Sequence, residues 1–492
     1  MYCIVNHVIF WDQRFKVGRS LALRQKKHVA AAMCFQIESI IFMSSLIISV
    51  SGLRGVVGET LTPQVAMNYA AAYSAFAQPG AFVITRDGRG SGVMLADAIH
   101  AALNAVGRPT IDAGVAATPT TGVLIRQYQA AGGIQISASH NPSQYNGLKL
   151  FNDEGRVIPH APGEQVKERY LAGGFEAKPY DQIASRTSCD DTTSTHLAAV
   201  LKTVDVAAIR EKKYSVLLDA NRGAGSVLGR KLLEELGCDV TILGETPDGQ
   251  FEHVPEPTEE NLQPVFAQVR AAGVDIGFCQ DPDADRLAVI DASGRYLGEE
   301  YTVAMCLNHV LQTREKGVVV INCASSRMSQ DIAEKHGVEI FRSAVGEANV
   351  VDLMKAKNAV FGGEGNGGPI DPKVGFVRDS FVGMAQLLDA MAARGKTIAE
   401  LAAELPAYYI VKRKIPLVLD RVPTAIAALD KHYANLPRDR QDGLRIDWPN
   451  AWLLVRASNT EPIVRAIAEA ETETAANALC DEAEKVISEP QP

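Results

Sequence analysis

The sequence predicts three related α/β domains followed by a smaller C-terminal α+β unit, and three observations predict it. One pattern recurs three times: an apolar strand, a small-residue loop, an amphipathic helix closed by glycine, and a further apolar strand. It runs from Val83-Ile-Thr-Arg-Asp-Gly-Arg-Gly-Ser-Gly to Gly107, from Val216-Leu-Leu-Asp-Ala-Asn-Arg-Gly-Ala-Gly to Gly237, and from Val318-Val-Val-Ile-Asn-Cys-Ala-Ser-Ser to Gly337. The length of 492 residues suits three or four domains at ~150 residues each. Near Pro406 the pattern changes, and Tyr408-Tyr-Ile-Val-Lys-Arg-Lys-Ile-Pro-Leu-Val opens a unit that ends in a helix after Thr472.

The first 42 residues stand outside this scheme. They carry Arg14, Lys16, Arg19, Arg24, Lys26 and Lys27 against Asp12 and Glu38, followed by an apolar stretch from Val29 to Val50. Gln36 and Glu38 interrupt that stretch, which argues against a membrane anchor, and its end overlaps Leu46-Ile-Ile-Ser-Val, the strand expected to open the first domain. Residues 1–42 are therefore expected to be a non-native or unstructured extension, with translation beginning at Met43. The first domain is expected over 43–190. Its Gly88-Arg-Gly90-Ser-Gly92 lacks the spacing of a dinucleotide fingerprint, and no phosphate-loop lysine motif is present.

Within that domain, Ile134-Gln-Ile-Ser-Ala-Ser139-His140-Asn141-Pro142 leads to Asn146-Gly147-Leu-Lys149, which reads as strand, exposed loop, strand with Ser139 presented rather than buried. Ser, Asn and Pro also form ordinary turns, so this loop acquires meaning from its company. The polar run 184–195 is expected to separate the first domain from the second, over 191–300. There the buried strands Val274-Asp-Ile-Gly-Phe-Cys and Leu287-Ala-Val-Ile flank Asp281-Pro-Asp283-Ala-Asp285-Arg286. Alternate carboxylates in a turn can converge on one hard cation. The calcium-loop pattern fails, because Arg286 and Ala292 stand where it needs glycine and glutamate. A solvated acidic turn is the competing reading, but charges clustered between buried strands cost stability unless something binds them.

Gly298-Glu-Glu300 ends that strand pair, and the third domain is expected over 301–405. Its loop Gly362-Gly-Glu364-Gly-Asn366-Gly-Gly368-Pro offers one carboxylate and one amide from a backbone with little side-chain bulk, which suits sugar hydroxyl or amino groups better than a flexible linker. The last unit, over 406–492, holds Arg456-Ala-Ser458-Asn459-Thr460-Glu-Pro-Ile-Val-Arg465 after the strand Trp452-Leu-Leu-Val. Two forked guanidinium groups with neutral donors match a phosphate monoester, whereas a capped helix start would explain Ser, Asn and Thr but neither arginine.

A net charge of −9 argues against nucleic acid as a partner, since phosphate backbones need clustered basic charge. Cys3, Cys34, Cys189, Cys238, Cys279, Cys306, Cys323 and Cys480 show neither paired nor metal-type spacing, so reduced thiols in a cytoplasm are the simplest account.

In this order, the loops resemble those of the α-D-phosphohexomutase superfamily from Met43 onward. The resemblance is carried by Ser51-Gly-Leu-Arg54-Gly, Ser-Ala-Ser139-His-Asn-Pro, Asp-x-Asp-x-Asp-Arg, Gly-Gly-Glu and Arg-x-Ser-x-Thr-Glu-Pro. It implies mixed sheets around a central cleft, in a monomer or homodimer without a membrane partner. The implied reaction interconverts hexose 6-phosphate and hexose 1-phosphate through phosphoserine at Ser139 and a hexose 1,6-bisphosphate. Asp281, Asp283 and Asp285 would hold Mg2+ against that phosphoserine, with Arg286 beside the phosphate. Lys149 and Arg54 would give general acid/base help, His140 would shape the loop, and Glu364 with Asn366 would bind the sugar. Arg456, Ser458, Asn459, Thr460 and Arg465 would bind the other phosphate from a unit acting as a lid. Asn366 and Gly368 depart from the commoner Glu-x-Ser-Gly-His form, and loss of that histidine shifts proton transfer toward Lys149 and Arg54. The Glu-x-Asn-Gly-Gly version resembles most the phosphoglucosamine mutase-like branch, with phosphomannomutase or phosphoglucomutase activity as the alternative. A metal-dependent phosphatase or a non-catalytic sugar-phosphate sensor would use similar loops.

Overall fold

A computed structural model describes residues 46–49, 51–314, 316–458 and 463–489, so the N-terminal extension and its expected Met43 start lie outside the described residues. Each recurrent strand, helix and strand becomes a parallel βαβ unit. Phe82–Arg86 pairs with Thr110–Val115, Ser215–Asp219 with Asp239–Leu243, and Val319–Asn322 with Ile340–Ser343. A right-handed helix returns the chain to the start of a neighbouring strand, which is why the glycines at the helix ends mark the repeat so regularly.

The first sheet has seven strands, in the order Ile47–Ser49, Gly52–Val56, Tyr145–Asn152, Gly132–Ile136, Phe82–Arg86, Thr110–Val115 and Arg186–Ser188. The second and third have four each. All three are mixed, because in every case an antiparallel hairpin flanks the parallel core: Gly132–Ile136 with Tyr145–Asn152, Ile276–Gln280 with Leu287–Asp291, and Phe361–Glu364 with Gly368–Ile370; in the first sheet Gly52–Val56 and Ile47–Ser49 extend it with two further antiparallel strands. The turns of those hairpins are the three loops singled out by their chemistry. The run 184–195 is more than a linker, since Arg186–Ser188 adds an exposed edge strand to the first sheet. Three exposed polar residues carry no hydrophobic alternation, so nothing marks them as a strand.

The fourth sheet is antiparallel throughout, ordered Tyr409–Pro416, Ile463–Ala470, Ala451–Ala457, Leu444–Trp448 and Arg438–Asp439, and it packs on helices Val422–His432 and Glu473–Ser488. Its core of Leu429, Leu444, Leu453, Val464 and Cys480 is separate from the large apolar core shared by the second and third domains, where Phe278, Val303, Phe381 and Leu388 meet. Trp452 joins the fourth unit to the third: it is fully buried beside Cys323, and the Arg445 guanidinium lies 4.3 Å over its ring while donating to the Cys323 carbonyl at 2.5 Å. Among the described residues no helix is long and apolar enough to cross a membrane.

Candidate active site

The three hairpin turns meet around one cavity of about 700 Å³. Arg54, Ser139 and Lys149 reach it from the first domain, Arg286 from the second, and Glu364, Asn366, Glu347 and Arg378 from the third. Ser139 is the first departure from expectation: it is 5% exposed, buried rather than presented. The acidic loop of the second domain lies against it, and Ser139 Oγ donates to Asp281 Oδ2 at 2.8 Å.

Ser139 also has φ of 49°, a left-handed conformation that a non-glycine residue adopts only when its surroundings impose it. Those surroundings are specific. Ser137 Oγ accepts from Ser139 N at 2.9 Å and donates to Asp87 Oδ2 at 2.7 Å. Arg89, itself paired with Asp87, donates to the carbonyls of Ser139 and Asn141. Thus the loop after the first βαβ strand, noted in the sequence only for lacking a dinucleotide spacing, braces the turn that carries the serine.

Asp281, Asp283 and Asp285 are fully buried, and ligand atoms from the three lie within 4.8 Å of one another. Asp283 Oδ1 and Asp285 Oδ1 make no hydrogen bond although both are shielded from solvent. Buried carboxylate oxygens are normally satisfied, so orphaned ones converging on a point fit a hard cation. The backbone supports the convergence: Ala284 has φ of 55°, and its carbonyl accepts from Ser380 Oγ at 2.7 Å. Thr118, at the start of a first-domain helix, donates from N to the Asp283 carbonyl at 2.9 Å and from Oγ1 to Asp283 Oδ2 at 2.6 Å.

Lys149 Nζ lies 3.1 Å from Asp283 Oδ2 and 2.8 Å from Asp285 Oδ2. Burial works to lower its pKa, but Asp283 and Asp285 outweigh burial and hold the ammonium above its usual range. Asp281 moves the other way from Asp283: burial and the two neighbouring carboxylates push Asp281 up, whereas burial of Asp283 is outweighed by Lys149 and Thr118, which hold it low. Arg54 donates to Asn141 Oδ1 at 2.5 Å; burial lowers its pKa against the pull of Asp283. His140 Nδ1 is 3.2 Å from Ser139 Oγ, and burial, Arg286 and Arg54 keep this imidazole well below the usual histidine range. Arg286 donates from its backbone N to Asp281 Oδ1 at 3.2 Å, and its guanidinium lines the cavity.

In the third domain Glu364 is buried and engaged on both oxygens. Oε1 accepts from Asn322 Nδ2 at 2.7 Å and Gly346 N at 2.9 Å, and Oε2 lies 3.1 Å from Arg378 Nη1. Arg378 also donates to Asn366 Oδ1 at 3.2 Å, Asp285 Oδ2 at 2.6 Å and Glu347 Oε2 at 2.8 Å. Its stem crosses Gly368, where an added Cβ would come within 2.4 Å of the Arg378 Cδ. The Arg378 stem therefore fills the region that a side chain at 368 would enter. Neither Arg378 nor Glu347 was legible in the sequence, because each lies outside the glycine-rich loop it completes.

The fourth loop stands differently. Arg456 and Arg465 are directly paired in the register of Ala451–Ala457 with Ile463–Ala470, so the two guanidinium-bearing positions adjoin. Arg456 Nε donates to Asp442 Oδ1 at 2.9 Å, and Ser458 is buried. Arg456, Ser458 and Arg465 are not among the walls of the cavity that holds Ser139. Asn459 and Thr460 lie outside the described residues.

Four family models match the chain in succession: phosphoglucomutase/phosphomannomutase α/β/α domain I over residues 46–177, domain II over 194–294, domain III over 299–409 and the C-terminal domain over 417–486. Among curated relatives, a phosphoglucomutase/phosphomannomutase of Thermococcus kodakarensis is 35% identical over 446 residues, covering 89% of this chain and 97% of the relative. A probable phosphoglucosamine mutase of Pyrococcus horikoshii is 33% identical over 447 residues, covering 89% and 96%. Among solved structures, a phosphoglucomutase/phosphomannomutase family protein from Burkholderia thailandensis superposes with a TM-score of 0.78 at 25% identity, covering 90% of this chain and 98% of that one.

Proposed function

The chain belongs to the phosphoglucomutase/phosphomannomutase family and is a phosphohexomutase, and on that premise we propose that it interconverts glucosamine 6-phosphate and glucosamine 1-phosphate through phosphoserine at Ser139. The observation that carries the phosphoserine assignment is the bond from Ser139 Oγ to Asp281, within a buried carboxylate cluster holding two orphaned oxygens.

In this reading Asp281, Asp283, Asp285 and Ser139 would hold Mg2+, which would neutralise phosphate charge that repels an incoming hydroxyl. Arg286 and Arg54 face the same phosphate. A hexose hydroxyl oxygen forms the new bond to phosphorus, the bond from phosphorus to Ser139 Oγ breaks, and the hydroxyl proton ends on Ser139 Oγ. Lys149, held cationic beside the aspartates, gives a proton to Ser139 Oγ as its bond to phosphorus breaks and regains one from the hexose hydroxyl, and the reverse half-reaction runs the same exchange backwards. His140 and Asn141 shape the turn. The hexose 1,6-bisphosphate reorients between the half-reactions, with Glu364 and Asn366 on the sugar and, once the fourth unit closes over the cleft, Arg456, Ser458, Asn459, Thr460 and Arg465 on the non-reacting phosphate. Buried positioning of this kind supplies most of the catalysis in phosphoryl transfer.

For the hexosamine, support comes from the sugar loop, where Asn366 and Gly368 replace a hydroxyl and an imidazole and Arg378 occupies the vacated side. Glucose and mannose phosphates are the alternative substrates. The test is incubation with Mg2+, a trace of glucose 1,6-bisphosphate and, separately, glucosamine, glucose and mannose 6-phosphates. The expected outcome is isomer formation, fastest with glucosamine phosphate; preference for another sugar overturns the substrate assignment, and release of inorganic phosphate without isomer indicates a phosphatase. Ser139→Ala should abolish turnover, and mass spectrometry of the wild type should find phosphate on the peptide that contains Ser139. Retained isomerisation in the variant removes Ser139 from the carrier role.

A further inference from the structure

One of the two buried carboxylates in the cavity wall has no assigned task. Glu347 is the first residue of the helix Glu347–Lys357, entered through Gly346, and its side chain is 7% exposed. Oε2 is taken by Arg378 Nε at 2.8 Å, but Oε1 is shielded from solvent and makes no hydrogen bond. It shares the cavity wall with Glu364 and Asn366 on the sugar side. Glu364 cannot serve as a spare acceptor in the same way, since Asn322 and Gly346 N already occupy its Oε1 and Arg378 faces its Oε2.

The charge balance around this oxygen points to the kind of donor it awaits. The Arg378 guanidinium is shared among Asp285, Glu347 and Glu364, and Lys149, the other cation that acts on Glu347, is committed to Asp283 and Asp285. Neither of these two cations pairs with Oε1, which is left without a donor although Arg54, Lys167 and Arg286 also line the cavity. Leaving a buried acceptor unsatisfied is costly, and a carboxylate oxygen gains more from a cationic donor than from a neutral one. Burial pushes the Glu347 carboxyl up, with Arg378 and Lys149 opposing, so an arriving cation completes the compensation that those two begin. The cluster of metal-ligating geometry among the described residues comprises Asp281, Asp283 and Asp285 and does not include Glu347, so Glu347 is not counted among the candidate ion ligands.

We propose that Glu347 determines substrate choice at carbon two, its free Oε1 accepting a hydrogen bond from the 2-ammonium group of glucosamine phosphate. This rests on the hexosamine assignment above and names the residue that would enforce it. A 2-hydroxyl can donate to the same oxygen without the charge term, and a bulky acyl group on the nitrogen would remove the positive charge while adding volume.

Glu347→Gln keeps the shape and one acceptor but deletes the charge, so the measurement is the ratio of kcat/KM for glucosamine 6-phosphate to that for glucose 6-phosphate in wild type and variant. A charge-assisted hydrogen bond predicts that this ratio falls by about 10–100-fold, chiefly through KM for the amino sugar. Glu347→Asp, which retains charge on a shorter stem, should restore part of the ratio, which a merely structural role would not do. An unchanged ratio in Glu347→Gln, with the wild type active on glucosamine phosphate, overturns the Glu347 assignment and leaves the hexosamine reading standing. A wild type that converts glucose or mannose phosphate but not glucosamine phosphate overturns the hexosamine reading itself, and the Glu347 assignment falls with it.

Discussion

At the scale of single residues, the site is built by fixing a short turn in a conformation it would not choose. Ser139 at φ of 49° is held by Ser137, Asp87 and Arg89, three side chains whose own bonds are mutually dependent. Arg89 is fully buried with Asp87, and its Cζ lies 4.9 Å from the Phe251 ring centre in the second domain. Arg89→Met leaves Asp87 as a buried charge without its cation, which should lower unfolding free energy by about 3–5 kcal/mol. Asp87→Asn combined with Arg89→Met should cost less than the two single changes together, because the double variant leaves no charge stranded. Urea denaturation of the four proteins checks this, and simple additivity would contradict the brace. Why Ser139 and the aspartates were legible while Arg89, Thr118 and Arg378 were not follows from distance along the chain. The serine and the carboxylates declare themselves within one loop, whereas Arg89 meets Ser139 across 50 residues, Arg378 meets Asp285 across 93 and Thr118 meets Asp283 across 165.

At the scale of elements, one device is used three times: a parallel βαβ core flanked by an antiparallel hairpin whose turn carries chemistry. The βαβ repeat was readable because apolar runs, small-residue loops and terminal glycines recur at the same offsets. The hairpins were readable only as strand, loop, strand, since their pairing partners are set by tertiary packing. Arg186–Ser188 was hidden because an exposed edge strand of three residues has no buried face to pattern it. The hairpin Phe361–Glu364 with Gly368–Ile370 shows how tightly such an element is fitted to its neighbours. The Arg378 stem that crosses Gly368 is pinned by Asp285, Glu347 and Glu364, so it cannot swing aside cheaply. Gly368→Ala should therefore destabilise by about 1–3 kcal/mol, the usual cost of overpacking a fixed site. Adding Arg378→Ala to Gly368→Ala should take away the two closest contacts and leave only the Cβ at 3.0 Å, so the alanine at 368 should cost less in the Arg378→Ala background than in wild type. Thermal melts of both pairs decide it, and an equal cost in the two backgrounds would place the strain elsewhere.

At the scale of the whole molecule, the carboxylate cluster is also where three domains are tied together. Ser139, Lys149 and Thr118 of the first domain bond to aspartates of the second, and Arg378 of the third bonds to Asp285. The fourth unit docks on the third through Trp452, through Arg445 to the Cys323 carbonyl, and through Arg327 N to Glu469 Oε1 at 2.8 Å, leaving its arginine pair outside the serine cavity. Lys149 partly neutralises carboxylates that also fit a divalent ion, so the ammonium and the ion bear on the same excess of negative charge. Removing the ammonium should therefore raise the benefit of the ion. Lys149→Met should lose turnover and melt lower than wild type in chelator, because Asp283 loses a cation that offsets its burial. Adding Mg2+ should then raise its melting temperature by more than it raises that of wild type. For scale, ion at 100 times its dissociation constant stabilises a folded protein by about 2.7 kcal/mol, and tighter binding at the same concentration adds to that. Paired melts in EDTA and in MgCl2 make the comparison. An identical Mg2+ shift in both proteins would mean that the ion does not sit among the aspartates that Lys149 holds.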